Sequence, residues 1–213
     1  MNPTKQLGFI HIFTPSQESN SPVTLLLLHG TGGDEKSLLS LGRSIAPGSA
    51  LLSPRGKVLE NGMPRFFRRF AEGVFDLEDL VFRTNELSEF VEQASHAYNF
   101  DMKKLFAVGY SNGANIAASI LLLRPKLLAG AILFRPMVPI VPDKTPDLSG
   151  IPVLISAGLS DSIVPQEQTE QLATLLLESR ADVSVRWQNR GHDLGSDQIK
   201  YAKEWLSKQT AGL

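Results

Sequence analysis

Seven runs of strand length alternate along this 213-residue chain with five runs of helical periodicity, and this alternation narrows the available folds more than any other feature. The strand-like runs are 9–13, 23–28, 49–53, 105–109, 128–134, 153–157 and 183–188. Between them, 38–45, 77–98, 112–123, 166–179 and 198–208 carry apolar residues three and four apart, as one-sided helices do. The pattern predicts an α/β chain with a mainly parallel central sheet of about seven strands, flanked by helices on both faces. Leu25-Leu26-Leu27-Leu28 shows no polar alternation, which suits a strand buried on both sides. There is no internal repeat, low-complexity tract or compositional break, so residues 1–213 read as a single domain, and 42% hydrophobic content supplies a large core.

Composition removes several functional classes. A formal net charge of −1 gives no electrostatic reason to expect nucleic acid or an anionic membrane surface as partner. The chain contains no cysteine, so it uses neither a disulfide nor a thiolate nucleophile, and a cytoplasmic setting is compatible. Within residues 1–21 only 9–13 form an apolar patch, shorter than the roughly 7–15-residue core of a signal peptide. The apolar runs 23–28 and 120–123 fall well below the roughly 20 residues needed to span a bilayer. A soluble cytoplasmic protein without stable membrane insertion is expected.

The sharpest chemical signal is Gly109-Tyr110-Ser111-Asn112-Gly113, set between the strand run 105–109 and the helical run 112–123. Gly-x-Ser-x-Gly also arises by chance in glycine-rich turns. At a strand-to-helix boundary, however, it puts a serine hydroxyl on a sharp turn above the sheet edge, with glycines where neighbouring backbone leaves no room for a side chain. The helix that follows adds free N–H groups and a favourable dipole for developing negative charge. Such a serine needs a base, and the base needs an orienting carboxylate, in the chain order Ser, acid, His. His11, His29 and His96 precede Ser111, which leaves His192. Asp143, Asp147, Asp161 and Asp182 lie between the two; Asp161 is best placed, just beyond the C-terminal end of the strand 153–157. Asp193 reads as a turn residue. The oxyanion donors expected are the backbone N–H groups of Asn112 and of Thr31, the latter in the glycine-rich loop His29-Gly30-Thr31-Gly32-Gly33. That loop lacks the ending of a phosphate-binding P-loop, and no metal site or cofactor is expected. His29 reads as a buried structural histidine.

Two segments lack clear periodicity and read as loops or short excursions. In 54–76, Arg65, Arg68 and Arg69 surround Phe66, Phe67 and Phe70. These could form a flap with a carboxylate clamp, or a loop that buries its aromatics and leaves its arginines in water; the second is the expectation for the arginines. Phe66 and Phe67 are candidates for the substrate pocket. Residues 136–152 are proline-rich, and Arg135-Pro136-Met137 emerges from a strand end at the same edge as Ser111. Met137 is a candidate pocket residue; Arg135 is either that or a structural salt-bridge partner.

Leu28-His29-Gly30-Thr31-Gly32-Gly33-Asp34-Glu35, Gly109-Tyr110-Ser111-Asn112-Gly113-Ala114, Ala157-Gly158 with Asp161 and Val164-Pro165, and Gly191-His192 together resemble the small carboxylesterase/phospholipase family of α/β-hydrolases, which includes acyl-protein thioesterases. The resemblance runs over nearly the whole chain. It implies an α/β-hydrolase fold with a minimal cap and carries Thr31 and Asn112 over as oxyanion positions. That family often has glutamine after the serine, where this chain has Asn112. Ser53-Pro54-Arg55-Gly56, the stretch from Asn61 to Phe67 and Phe134-Arg135-Pro136-Met137 are similar to bacterial carboxylesterase-like members of the family. Dienelactone hydrolases share the fold as neighbours, but their cysteine mechanism has no residue to carry it here. The expected activity is hydrolysis of short to medium acyl esters, a small-molecule substrate class, through Ser111, His192 and Asp161. Thioester or lysophospholipid hydrolysis, and a non-catalytic small-molecule receptor, are the alternatives. A homodimer through an edge strand or the last helix is allowed but not demanded.

Overall fold

The computed structural model describes residues 6–17 and 23–211. Part of the 1–21 segment read above for a leader lies outside the described residues. Each of the seven strand runs forms a strand of one sheet. They are β1 (His11–Thr14), β2 (Thr24–Leu28), β3 (Ala50–Pro54), β8 (Leu105–Tyr110), β9 (Gly130–Phe134), β10 (Pro152–Gly158) and β11 (Asp182–Gln188). Between β3 and β8 the chain adds two small hairpins, β4 (Val58–Glu60) with β5 (Met63–Arg65), and β6 (Arg69–Ala71) with β7 (Val74–Phe75). The helices are α1 (Leu39–Ile45), α2 (Leu77–Tyr98), α3 (Asn112–Leu123), α4 (Gln166–Glu178) and α5 (Ser196–Thr210).

Sheet order is β1-β3-β2-β8-β9-β10-β11. Only the β1 edge runs antiparallel, pairing His11 with Pro54 and Thr14 with Leu51; the other neighbours are parallel. Side chains on a strand point alternately to opposite faces, so β2 feeds two cores. Leu26 and Leu28 pack with Leu80, Phe90, Ile116 and Leu172 of α2, α3 and α4. Leu25 and Leu27 pack with Leu41, Ile45, Trp205 and Leu206 of α1 and α5. The unbroken leucine run is therefore what a strand between two helical layers requires. Among the described residues no helix is long and apolar enough to cross a membrane.

The parallel strands all end at one edge, where open α/β sheets place their sites. Ser111 follows β8, Arg135 follows β9 and Asp161 lies just past β10. Asp182 opens β11 and so sits at the opposite edge, as its position before a strand implied.

Candidate active site

Ser111 is held in a conformation that few side-chain-bearing residues adopt. Its φ of 52° with ψ of −116° lies in a region close to glycine-only backbone, at the joint between β8 and α3. Two contacts hold it there. The Ser111 N–H donates to the Phe134 carbonyl on the neighbouring strand at 2.8 Å, and its own carbonyl accepts from Asn115 N–H at 3.0 Å. The flanking glycines are sterically required. A Cβ on Gly113 would run into the Leu28 carbonyl, and one on Gly109 would strike the Gly113 carbonyl and the Ala114 backbone. The elbow thus exists because strand and helix approach each other too closely for any side chain at those two positions.

Asp161 and His192 meet at the same edge. His192 Nδ1 lies 2.8 Å from Asp161 Oδ2. Asp161 Oδ1 is occupied separately, accepting the N–H groups of Ile163 and Val164 at 2.9 and 3.0 Å, so both carboxylate oxygens are fixed. With Nδ1 turned to the acid, Nε2 is the nitrogen left to serve as a base. The side chain of Asp161 is 1% exposed and that of His192 17%. Tyr110, next to the serine, donates its hydroxyl to the His192 carbonyl at 3.0 Å and packs its ring 5.4 Å from the imidazole. Among the described residues no hydrogen bond joins the Ser111 hydroxyl to His192; such bonds are often long without substrate and tighten in the reacting complex.

Arg135 is the residue the sequence underreads. Read as a candidate pocket residue or a salt-bridge partner, it is 1% exposed and acts mainly as a buried brace, although it also touches the cleft. Its guanidinium donates to the carbonyls of Gly191 (2.9 Å), Ser156 (3.0 Å) and Asp193 (2.9 Å), and its Nε lies 3.7 Å from Asp161 Oδ2. One side chain thereby clamps the loop on both sides of His192 and sets a positive charge against the acid. Burial alone would push this guanidinium down from its ordinary range; Asp161 opposes that. The position has φ of 56°, a second strained residue at this edge.

The glycine-rich loop after β2 is tied to the excursion between β3 and α2 at several points. Gly32 N–H donates to the Pro64 carbonyl (2.9 Å), Arg65 Nη1 to Thr31 Oγ1 (2.6 Å) and Gly56 N–H to His29 Nε2 (3.0 Å). Arg55 Nη2 donates to buried Glu35 at 2.9 Å. His29 is thus a buried structural histidine. Because Nε2 accepts, the proton sits on Nδ1, which faces the Gly30 carbonyl at 2.7 Å; burial lowers the imidazole below its ordinary pKa. The N–H of Thr31 has no acceptor among the described residues. Asn112 N–H belongs to the first turn of α3, which no intrahelical carbonyl reaches. Both donors sequence reasoning chose are therefore free, and Thr31, Ser111 and Asn112 line one cleft.

The side chains of Asn112 and Asn115 add a function that sequence reasoning missed. Asn112 Oδ1 accepts from Phe66 N–H and Asn115 Oδ1 from Met137 N–H, each at 2.8 Å. One helical turn therefore pins both walls of the cleft. Met137 lines that cleft, as expected. Phe66 and Phe67 do not. Both are buried, Phe66 against His29 at 4.7 Å and Phe67 edge-on to Phe75 at 5.1 Å, because the excursion folds its aromatics inward. Arg65, expected in water, is also buried and faces the cleft; Arg68 is the exposed one. Beside Ser111 the cleft encloses only about 30 Å³, whereas hollows of about 270 and 450 Å³ lie at the opposite ends of the strands.

Comparison with known proteins agrees with this fold. A model of the dienelactone hydrolase family matches residues 74–204. The MhqD protein of Bacillus subtilis (strain 168) is 51% identical over 198 residues, 93% of this chain and 98% of its own. The crystal structure of the Bacillus cereus carboxylesterase is 49% identical with a TM-score of 0.91, each chain covered to 94%. YahD, whose structure was determined with malic acid, is 33% identical with a TM-score of 0.86, covering 93% of this chain and 98% of its own. The sequence sets dienelactone hydrolases beside this chain as neighbours in fold, and the family match now places it among them, without the cysteine. On the evidence of its fold, its sheet-edge residues and these relatives, the chain belongs to the dienelactone hydrolase family of α/β-hydrolases.

Proposed function

We propose that the chain is a serine carboxylic-ester hydrolase acting on small esters. The observation that carries this reading is the His192–Asp161 hydrogen bond of 2.8 Å, formed at the same sheet edge as a serine on a strained strand-to-helix turn. His192 Nε2 takes the Ser111 proton as the hydroxyl attacks the ester carbonyl, and the Thr31 and Asn112 amides hold the oxyanion. His192 then protonates the departing alcohol and activates the water that releases the acid. Asp161 fixes the imidazole tautomer and stabilises the imidazolium. A cysteine route has no residue to run through.

The cleft beside Ser111 is small, about 30 Å³, which favours the short end of the expected acyl range. That the B. cereus relative is a carboxylesterase supports ester chemistry, and a malic acid complex of another relative supports a small polar ligand. The test is hydrolysis of p-nitrophenyl esters from acetate to octanoate, with fluorophosphonate labelling alongside. Activity should be highest at acetate and fall with chain length. Ser111→Ala, Asp161→Asn and His192→Ala should each lose about 10⁴-fold or more in kcat. A folded wild type that neither labels nor turns over any ester would reject the reading.

A further inference from the structure

β11 closes one side of the sheet, and β10 is its sheet neighbour. In a parallel pair each residue turns its N–H and its carbonyl to the same side. Asp182 N–H donates to the Ile151 carbonyl at 3.0 Å and the Gln188 carbonyl accepts from Leu159 N–H at 2.8 Å, so residues 182, 184, 186 and 188 address β10. Val183, Val185 and Trp187 therefore turn their backbone groups outward, where no hydrogen bond reaches them among the described residues. Such an edge is a template for another strand, and chains blunt it with proline, bulges or charge. β11 has no proline, and its register with β10 runs unbroken from Pro152 opposite Asp182 to Gly158 opposite Gln188.

The charges on this strand are Asp182 and Arg186, both exposed. Neither forms an ion pair among the described residues; the Arg186 guanidinium lies over the Tyr201 ring at 5.0 Å. Side chains alternate along a strand, so Asp182, Ser184 and Arg186 share the face toward α5, where Trp205 Nε1 donates to Ser184 Oγ at 3.4 Å. The two opposite charges thus sit symmetrically about Ser184. An unmatched charge repels a chance strand, whereas this spacing makes the strand complementary to a copy of itself.

Consider a second β11 laid antiparallel on the outer edge, with a two-fold axis through Ser184. Asp182 of each copy then faces Arg186 of the other, and Val183 faces Val185. The outward N–H and carbonyl groups of Val183 and Val185 exchange hydrogen bonds, as such a pair requires. Val185, 38% exposed, is covered. Other axes keep the backbone bonds but lose the charge match. An axis at Val185 sets Asp182 against Gln188, and one at Arg186 sets that arginine against itself.

We infer that the chain forms a two-fold dimer through β11, in the register centred on Ser184, joining the two seven-stranded sheets into one continuous sheet. The dimer stands apart from the ester-hydrolase reading. No β11 residue lines the cleft beside Ser111, and the axis turns the two clefts in opposite directions, so both stay open.

Sedimentation velocity of the full chain from about 1 to about 100 µM reads the assembly, and wild type should reach the dimer within that range. Val185→Pro removes an outward N–H that the β10 ladder does not use, and should leave a folded monomer. Asp182→Arg and Arg186→Asp each set like charges opposite one another and should weaken association at least about tenfold. Mixed in equal amounts, those two variants should form a heterodimer, and the double variant should recover the wild-type affinity. Ser184→Cys reports the register in a chain that has no cysteine of its own. On the axis its Cα would lie about 4.5 Å from its copy, within reach of a disulfide, so oxidation should give a covalent dimer. The charge reversals are at exposed positions and decide the matter should Val185→Pro fail to fold. A wild type that stays monomeric to about 100 µM overturns the inference. So does a dimer whose affinity neither charge reversal changes, or a Ser184→Cys protein that gives no covalent dimer.

Discussion

Replacing Arg135 with methionine should cost far more than removing one pocket contact. Methionine fills similar space without donors. The Ser156 carbonyl would keep the Arg135 backbone N–H at 2.9 Å, but the Gly191 and Asp193 carbonyls would lose their guanidinium donors. An orphaned buried carbonyl costs about 1–3 kcal/mol. Asp161 would also lose the cation 3.7 Å away in surroundings that leave both side chains at most 1% exposed, and breaking a buried pair costs about 3–5 kcal/mol. These contributions overlap in one network, so a total near 4 kcal/mol is the working value. With a urea slope of about 2 kcal/mol/M for a chain of this size, the unfolding midpoint should fall by about 2 M. Because both lost carbonyls flank His192, kcat should fall at least about tenfold under conditions where the variant remains folded. Arg135→Lys should rescue little, since a single ammonium cannot reach three diverging carbonyls. A midpoint within about 0.3 M of wild type together with unchanged kcat would refute the account of Arg135 as a brace.

Further outcomes follow from the same structure. Ser111→Gly should abolish turnover yet raise stability by about 1 kcal/mol in urea unfolding, because glycine accepts φ of 52° without strain; a loss of stability would argue against strain at the elbow. Gly113→Ala should fail to give native protein by circular dichroism, since its Cβ has no space beside the Leu28 carbonyl. The His29 imidazole sits below its ordinary pKa because it is buried, and His11 does so for the same reason. Below about pH 6.5 the unfolded chain therefore binds protons that the native state refuses, and stability should fall as pH drops through that range. Asp34, Glu35 and Arg55 also act on His29 electrostatically. His29→Gln should flatten the decline in urea unfolding measured between about pH 5 and about pH 7; an unchanged slope would assign it to other groups.

Periodicity made the sheet and helices legible because each run faces a single kind of neighbour. α2 begins and ends where its apolar spacing does, with Asp76 capping the N-terminus through Asp79 N–H. β9 begins two residues later than its apolar run, since Leu128 and Ala129 pack before pairing starts. That Asp161 meets His192 at the sheet edge carrying Ser111 was legible through chain order and strand ends. The hairpins of 58–75 were not, because their strands are two or three residues long and bury only Arg65 fully. Asn61-Gly62, with both residues at positive φ, was the available signal for the first of them. Arg65 and Arg135 went astray for a different reason. Arginine is normally a surface residue, and nothing local announces that several backbone carbonyls from distant loops will converge on one.

The excursion between β3 and α2 has a practical consequence for anyone redesigning the protein. Within it Arg55, Gly56, Arg65 and Phe66 are bonded to the glycine-rich loop after β2 and to the first turn of α3, whereas the hairpin tips at Gly62 and Gly73 touch nothing a side chain would meet. Grafting the whole segment from a homologue would therefore alter turnover together with substrate choice. Diversity introduced only at the tips, near exposed Leu59, Phe70 and Val74, can reshape the approach to the cleft and leave the catalytic frame intact.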